Sequence, residues 1–403
     1  MTSTYIVQRG DTLYRIAKRY GIHLQALIAA NPQLTNTQYV VPGQIIYIPI
    51  PNYPLYVIQS GDTLYTIAKQ FNVSLPALVA ANMLPNPNNL QVGQTIIIPT
   101  QNPSSIVDTS ADYGYVEMMN DLQQLKSKYP FIDMTTIGKS VMQKDIPMVQ
   151  IGNGTRNIHF NGSFHANEWI TTLLLMKFIE DYAQAYQSKS KLYGYDVEKL
   201  FEDTMLFIVP MVNPDGVELV QEGVTPQHPY YDQLLEWNDG SLDFSQWKAN
   251  IRGVDLNDQY PANWEEEKER RGTLGPGPRD YPGTAPLTEP EAIIIARLTE
   301  NSNFQLIVAL HTQGEEIYWN YRDLEPPISE EIAQKLSDVS GYKAVKLTGS
   351  DAGYKDWFIQ QYRRPGFTVE AGLGRNPLPI EDFSLIYKDV APLMLEALKV
   401  VSY

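Results

Sequence analysis

Asn161-Gly162-Ser163-Phe164-His165-Ala166-Asn167-Glu168 is the stretch on which the fold of this 403-residue chain turns. Ahead of it, Arg156 to Asn161 reads as a buried strand; behind it, Trp169 to Tyr186 reads as a long helix. A strand that runs through a short loop into a helix is the repeating step of an α/β sheet. His165 and Glu168 stand three positions apart, so in a helical turn the imidazole and the carboxylate project on the same side and can converge on one cation. Zinc suits such a pair. A catalytic zinc site typically adds a second His and leaves one position open for water.

Working outward, Tyr115 to Tyr129 reads as an amphipathic helix, and Thr135 to Val141 and Pro147 to Ile151 as strands joined by a hairpin at Met142 to Asp145. Thr204 to Val209, Gln305 to Leu310, Ala344 to Leu347 and Gly366 to Val369 are further short β-rich runs. Thr288-Glu289-Pro290-Glu291 has the form of a capping box opening a helix through Leu298. The alternation predicts an α/β fold, a mixed sheet with helices on both faces. His165, His311 and Glu370 each follow directly after such a strand, where open α/β sheets build their sites. His311 is the candidate third ligand, with His159 inside a strand, His228 in an irregular segment and His23 near the N-terminus as the other histidines. Residues 211–285 show little regular pattern and are rich in Pro, Gly, Tyr and charge, as expected of a functional rim.

The chain contains no cysteine, so any metal must be held by His, Asp or Glu. Its net charge of −15 argues against nucleic acid as a partner, because a polyphosphate would be repelled over most of the surface. The first hundred residues carry Arg9, Arg15, Lys18, Arg19 and Lys69 against Asp11 and Asp62 only, so the negative charge belongs to the rest. The longest apolar run, Ile170 to Ile179, is broken by Lys177 and is too short to span a bilayer, so no membrane partner is expected. Met1 leads at once into a patterned segment without the features of a secretory signal. Either none exists or it has been removed; the first alternative implies cytoplasmic synthesis.

The first hundred residues repeat. Tyr5-Ile6-Val7-Gln8-Arg9-Gly10-Asp11-Thr12-Leu13 returns as Tyr56-Val57-Ile58-Gln59-Ser60-Gly61-Asp62-Thr63-Leu64. Each unit has a short strand, a Gly-Asp-Thr turn capped by Asp or Thr, a helix carrying Leu-x-x-Ile-Ala, a second helix (Leu24 to Ala30, Leu75 to Ala81) and a closing strand (Gln44 to Ile48, Gln94 to Ile98). Both units resemble LysM domains, small α+β βααβ folds, which gives domains at 1–50 and 54–100 and leaves 108–403 as a third. The resemblance implies binding of the N-acetylglucosamine-containing glycan of peptidoglycan or chitin, through Gly10, Asp11, Thr12, Leu13 and Asn31 in one unit and Gly61, Asp62, Thr63, Leu64 and Asn82 in the other.

The third domain resembles the zinc carboxypeptidases, of which pancreatic carboxypeptidase A is the best-known member. The likeness runs through Gly138-Lys139-Ser140, Asn161 to Glu168, Pro210 to Gly216, Gly253-Val254-Asp255-Leu256-Asn257, Leu310-His311 and Phe367-Thr368-Val369-Glu370. It implies one zinc ion on His165, Glu168 and His311, with Glu370 as the catalytic glutamate. The family's oxyanion cation is an Arg directly after a Trp; here Lys248 follows Trp247, and Arg252 is the nearby alternative.

Two departures bear on substrate. The family grips a terminal carboxylate with an Asn-Arg pair, whereas here Asn257 precedes Asp258, and Thr348 stands where the family has a terminal tyrosine. The run Asp255 to Trp264, with Gly372-Leu373-Gly374-Arg375-Asn376-Pro377-Leu378-Pro379, is similar to the branch that cleaves γ-D-glutamyl-diaminopimelate bonds of bacterial wall stem peptides. On that reading Asp258 pairs with the diaminopimelate amine, and Arg375 or Lys355 with a carboxylate. The other readings are a wall-bound C-terminal carboxypeptidase and a wall-binding protein without catalysis.

Overall fold

The computed structural model describes residues 105–400 without a break and, ahead of them, residues 2–8, 11–20, 27–28, 30–34, 40–49, 55–59, 62–64, 66–67, 78, 90 and 95–97. The chain divides into two compact units, Met1–Asp112 and Tyr113–Tyr403.

In the first unit each repeat builds its own small core. Strand β1 (Thr2–Ile6) pairs antiparallel with β2 (Ile45–Pro49), and Leu13, Ile16 and Ala17 of helix α1 (Leu13–Arg19) share a core with Ile46 and Ile48. In the second repeat β3 (Leu55–Val57) pairs antiparallel with β4 (Thr95–Ile97) over Ile58, Leu64, Ile67, Leu78 and Ile96. The same turn appears in both. Asp11 accepts from the Gln8 amide at 2.7 Å and the Tyr5 hydroxyl at 2.5 Å; Asp62 accepts from the Gln59 amide at 2.7 Å and the Tyr56 hydroxyl at 2.8 Å. Thr12 and Thr63 cap the helices, accepting from the amides of Arg15 and Thr66. The expected second helices lie largely outside the described residues, as do Gly10, Gly61 and Asn82.

The second unit runs α2 (Tyr115–Lys128), β5 (Asp133–Lys139), β6 (Asp145–Gly152), β7 (Arg156–Asn161), α3 (Ile170–Ser188), the hairpin β8 (Lys191–Leu192) and β9 (Tyr195–Asp196), α4 (Val197–Asp203), β10 (Thr204–Val209), α5 (Pro214–Glu222), α6 (Tyr231–Trp237), α7 (Trp264–Arg271), α8 (Pro290–Ser302), β11 (Leu306–His311), β12 (Glu316–Tyr318), α9 (Ile328–Ser340), β13 (Lys343–Val345), α10 (Tyr354–Tyr362), β14 (Gly366–Glu370) and α11 (Phe383–Val400). Eight strands form one mixed sheet in the order β13-β12-β14-β11-β7-β10-β6-β5. Its four central strands are parallel, and β11 is buried at every residue, as expected of strands covered on both faces. On one face Ile307, Ala309, Phe207 and Val209 pack with Ala292 and Ile295 of α8 and Trp357, Phe358 and Ile359 of α10. On the other, Phe160 meets Phe178 of α3, and α3 packs with α2, α4 and α11.

The register aligns the strand ends that matter. Asn161 faces both Val209 and Ala309, and His311 faces Glu370, so β7, β10, β11 and β14 all finish along one edge.

Two expectations need correction. The capping box at Thr288 to Glu291 does not form. The Thr288 hydroxyl instead donates to Gln259 Oε1 at 3.1 Å, and Glu291 accepts from the Val141 amide at 3.0 Å, so long-range partners displace the local ones. The segment 211–285 is also less irregular than its pattern suggests. It holds α5, α6 and α7, helices of seven to nine residues, the last reading Trp-Glu-Glu-Glu-Lys-Glu-Arg-Arg with too little apolar periodicity to announce itself.

Candidate active site

The loop after β7 is pinned before it can present any ligand. Ser163 takes a left-handed backbone (φ 50°), held by its amide on Thr171 Oγ1 at 2.8 Å. Asn213, at the end of the strand-to-helix turn after β10, donates to the carbonyls of Phe164 and Ala249, both at 3.1 Å. At Gly216 a Cβ would lie 2.8 Å from that of Ala166, so glycine lets α5 approach the loop closely. Ala166, Asn167 and Glu168 then form a single 3₁₀ turn, which brings His165 and Glu168 to the same side.

His165 Nδ1 lies 2.8 Å from Glu168 Oε1, and His311 Nδ1 lies 3.0 Å from Glu168 Oε2 and 3.0 Å from His165 Nδ1. All three residues are buried, and their donor atoms converge within the span of one metal ion. Two imidazole nitrogens facing each other beside a carboxylate are best satisfied by a shared cation, and two His with one carboxylate is a catalytic zinc donor set. The residues therefore fit the metal that the sequence implied. Burial opposes ionisation of Glu168, but His165 and His311 overcome it and hold the carboxyl well below its ordinary range. His311 is correspondingly raised, Glu168 outweighing burial.

Glu370 is half-buried one strand away. Burial pushes its carboxyl up to about 7, the charges of Glu168 and Glu316 adding to it against His311 and Lys248. Glu316 faces Glu370 directly across β12 and β14 and accepts from the Tyr318 hydroxyl at 2.7 Å.

Of the two candidate cations, Lys248 is at the site and Arg252 is not. The Lys248 backbone is clamped by the Ala166 amide at 3.0 Å and the Pro278 carbonyl at 2.8 Å, behind the buried Trp247. Its ammonium sits 2.8 Å from Asp255 Oδ2, while Asp255 Oδ1 is 3.3 Å from His165 Nε2. Burial lowers the Lys248 pKa, but Asp255 more than reverses this and keeps the ammonium charged. Arg252 is a correction: its guanidinium turns to Glu289 at 3.6 Å and to Tyr230.

The expected substrate residues are distributed unevenly. Asp258 is 2 % exposed and faces inward, its two oxygens 2.9 and 3.1 Å from the Arg271 guanidinium of α7. Burial and then Asp255 push it up to about 7 against the pull of Lys248 and Arg271. A carboxylate so held is not free to receive a substrate amine, which corrects that expectation. Lys355 is also turned inward, onto the Asn320 carbonyl at 2.7 Å and Asp356 at 2.5 Å. Asn257 lies nearby and accepts from the Tyr354 amide at 3.3 Å. Thr348 and Lys355 line a cavity of about 580 Å³ together with Arg270, Arg322, Asp351 and Asp356. Arg375 is exposed, 3.4 Å from Gln246 Oε1. His159 belongs to the core: it is bonded to Phe207 O and Asn161 and stacked on Phe304, and burial takes its pKa down to about 3.

In the first repeat Asn31 is 1 % exposed; its amide donates to the carbonyls of Leu27 and Tyr47 and accepts from the Tyr47 amide. It ties the second helical segment to β2. Leu13 and Leu64 are buried. The side chains of Asp11, Asn31 and Asp62 are thus occupied within their own units.

Sequence reasoning assigned no role to Asp255, Arg271 or Asn376, although Asp255 and Asn376 lie in quoted motifs. Arg271 carried no signal, being one of several charges on a polar helix.

Comparisons with known proteins agree with this geometry. Residues 118–378 match the zinc carboxypeptidase family (peptidase M14), and residues 5–49 and 56–99 each match the LysM domain. The chain is 46% identical over 392 residues to gamma-D-glutamyl-L-diamino acid endopeptidase 1 of Lysinibacillus sphaericus, covering 85% of this chain and 99% of that one. It is 38% identical over 396 residues to an uncharacterized protein, YqgT, of Bacillus subtilis strain 168, covering 96% of each. Among solved structures, the fold is similar to thrombin-activatable fibrinolysis inhibitor (TM-score 0.59, 15% identity, 94% of this chain and 96% of that one). It is also similar to carboxypeptidase A of Helicoverpa armigera (TM-score 0.53, 17% identity, 84% and 80%). The chain belongs to the zinc carboxypeptidase family and carries two LysM domains ahead of its peptidase domain.

Proposed function

We propose that this protein is a zinc-dependent peptidase that hydrolyses the bond between γ-linked D-glutamate and diaminopimelate in wall stem peptides, held on glycan by its LysM units. The observation that carries the chemistry is the convergence of His165, Glu168 and His311 with Glu370 one strand away. The observation that supports the substrate is the similarity to an L-diamino acid endopeptidase along nearly all of that relative.

His165 Nδ1, His311 Nδ1 and the Glu168 carboxylate would hold one zinc ion, which when bound polarises the scissile carbonyl and acidifies a water. Glu370 takes the proton from the attacking water and delivers it to the leaving nitrogen; hydroxyl joins the carbonyl carbon, the C–N bond breaks, and the amine departs. A carboxyl raised toward neutrality suits this double duty, because its two protonation states lie close in free energy at working pH. Lys248 supplies the fixed positive charge for the developing oxyanion, and Asp255 orients both Lys248 and His165. The cavity lined by Thr348 and Lys355 is the candidate pocket for the diaminopimelate side chain; its Arg270 and Arg322 pair with Asp351 and its Lys355 with Asp356, so a substrate ammonium and carboxylate would bind there by exchanging with those pairs. Arg375, on the rim, is the candidate for the free α-carboxylate of D-glutamate.

The family's Asn-Arg grip on a terminal carboxylate is missing at Asn257-Asp258, which favours this reading over a C-terminal carboxypeptidase. The LysM units raise local substrate concentration by tethering. Since Asp11, Asn31 and Asp62 are engaged internally, glycan affinity falls to backbone groups and apolar surface.

The test is mass-spectrometric identification of products from L-Ala-γ-D-Glu-diaminopimelate peptides with free and blocked C-termini, with zinc and with chelator. The expected products are L-Ala-D-Glu and a diaminopimelate-containing fragment from both, lost on chelation. An intact bond in the zinc-loaded protein overturns the reading; cleavage of free C-termini alone favours the carboxypeptidase.

A further inference from the structure

The segment Gly372 to Pro379 follows Glu370 closely, and its Asn376 touches both halves of the metal group. Asn376 Nδ2 donates to the Thr312 carbonyl at 2.8 Å and lies 3.4 Å from Glu168 Oε1. Its Oδ1 accepts from the Thr312 hydroxyl at 2.7 Å. The backbone carbonyl of Asn376 accepts from Gln246 Nε2 at 2.7 Å, and the same Gln246 faces Arg375. One side chain therefore spans the residue after His311 and the carboxylate of Glu168, while its main chain carries the rim arginine.

Glu168 needs this help. Its oxygens lie toward two imidazoles, and a carboxylate free to rotate would meet a cation with either lone-pair direction. The Thr312 amide donates to Oε2 at 3.2 Å, and the Asn376 amide stands on the Oε1 side. Between them they fix the plane of the carboxylate with neutral donors, which orient the ligand without competing with a cation for charge. Asn suits the position because it offers a donor toward Glu168 and an acceptor toward Thr312 at once.

We infer that Asn376 is a positioning residue that sets the carboxylate of Glu168 for metal binding and fastens the Arg375-bearing loop to the metal group. This rests on the reading that His165, Glu168 and His311 hold zinc.

The experiment is zinc affinity of the full-length protein, measured by competition with a chromophoric chelator, for the wild type, N376A, T312V, E168Q, N376A/E168Q and H165A. N376A is expected to weaken zinc binding roughly 10–100-fold. T312V, which removes only the hydroxyl latch, is expected to change it less than about 3-fold. In the E168Q background N376A should add much less, since coupled residues are non-additive. N376A within about 3-fold of wild type overturns the proposal, as does T312V matching N376A, which leaves only a loop latch. Equal effects of N376A with and without E168Q also overturn it, and this comparison holds even where N376A lowers stability. Wild type binding zinc no better than H165A overturns the metal reading itself, and the proposal with it.

Discussion

The LysM repeats and the peptidase unit use their polar side chains in opposite ways. Asp11 and Asn31 meet their partners within 3 to 16 residues of themselves, and those bonds close a turn and tie down a strand. His165 and Glu168 meet His311 across 146 and 143 residues, and their donor atoms converge on a common point. Local pairing consumes polar groups to build a small core. Long-range convergence gathers them where a cation can bind. A polar residue in a loop therefore has no fixed meaning until its partners are counted, and Asp258, consumed by Arg271, falls on the structural side despite its place beside the site.

Breaking the convergent half should have the largest effect. Glu370→Gln is expected to lower kcat on the γ-D-glutamyl-diaminopimelate peptide by roughly 10²–10⁴-fold with an unchanged melting temperature. Retained activity would assign the proton to another group.

Arg271→Met tests which side Asp258 belongs to. Breaking a buried pair costs about 3–5 kcal/mol when both partners are enclosed; with Arg271 partly exposed the loss expected in urea unfolding is about 2–3 kcal/mol after discounting for solvent. If Asp258 instead served the substrate, Asp258→Asn would raise KM and leave stability alone.

In the local half, Asn31→Ala removes the acceptor of the Tyr47 amide and the donor to the Leu27 and Tyr47 carbonyls, which costs about 1–2 kcal/mol. Hydrogen exchange at Tyr47 should accelerate, while kcat/KM on soluble peptides stays the same. Loss of glycan binding without loss of protection would return Asn31 to the ligand side.

A pH-dependent effect concerns Glu291, another residue recruited by distant partners. Burial raises its carboxyl to about 7, against an unfolded value of 4.5. The folded state then holds the proton more tightly, so stability falls as pH rises through the window from about 4.5 to 7. Glu291→Gln keeps an acceptor for the Val141 amide and should flatten that part of the stability curve. Parallel curves for wild type and variant across pH 4.5–7 would refute the burial account.

Much of the fold was legible because its signals are local. Arg156–Asn161 and Thr204–Val209 are observed with the limits that their apolar runs suggested, and the turn at Asp11 recurs at Asp62 with the same partners. The short helices between residues 211 and 285 were not: α6 buries only Leu234 and α7 only Trp264 and Glu267, too few to set a period, and α5 is just nine residues long. In the site, His165, Glu168, His311 and Glu370 stood out through strand ends and family motifs. Arg252 lies four positions beyond Lys248 and carries the family's residue type, yet Glu289 draws it away.

The sequence by itself determined the strand-loop-helix that carries His165 and Glu168, the duplicated LysM turn, and the donor types available for a metal, because these depend on neighbours a few positions apart. Only the tertiary structure decided which charges were left over. Arg271 reaches Asp258 because α7 docks there, Lys248 stands at the site because Ala166 and Pro278 clamp its backbone, and Asn376 meets Glu168 because its loop folds back from Glu370. Those pairings are set by packing between distant segments, and no local pattern encodes them.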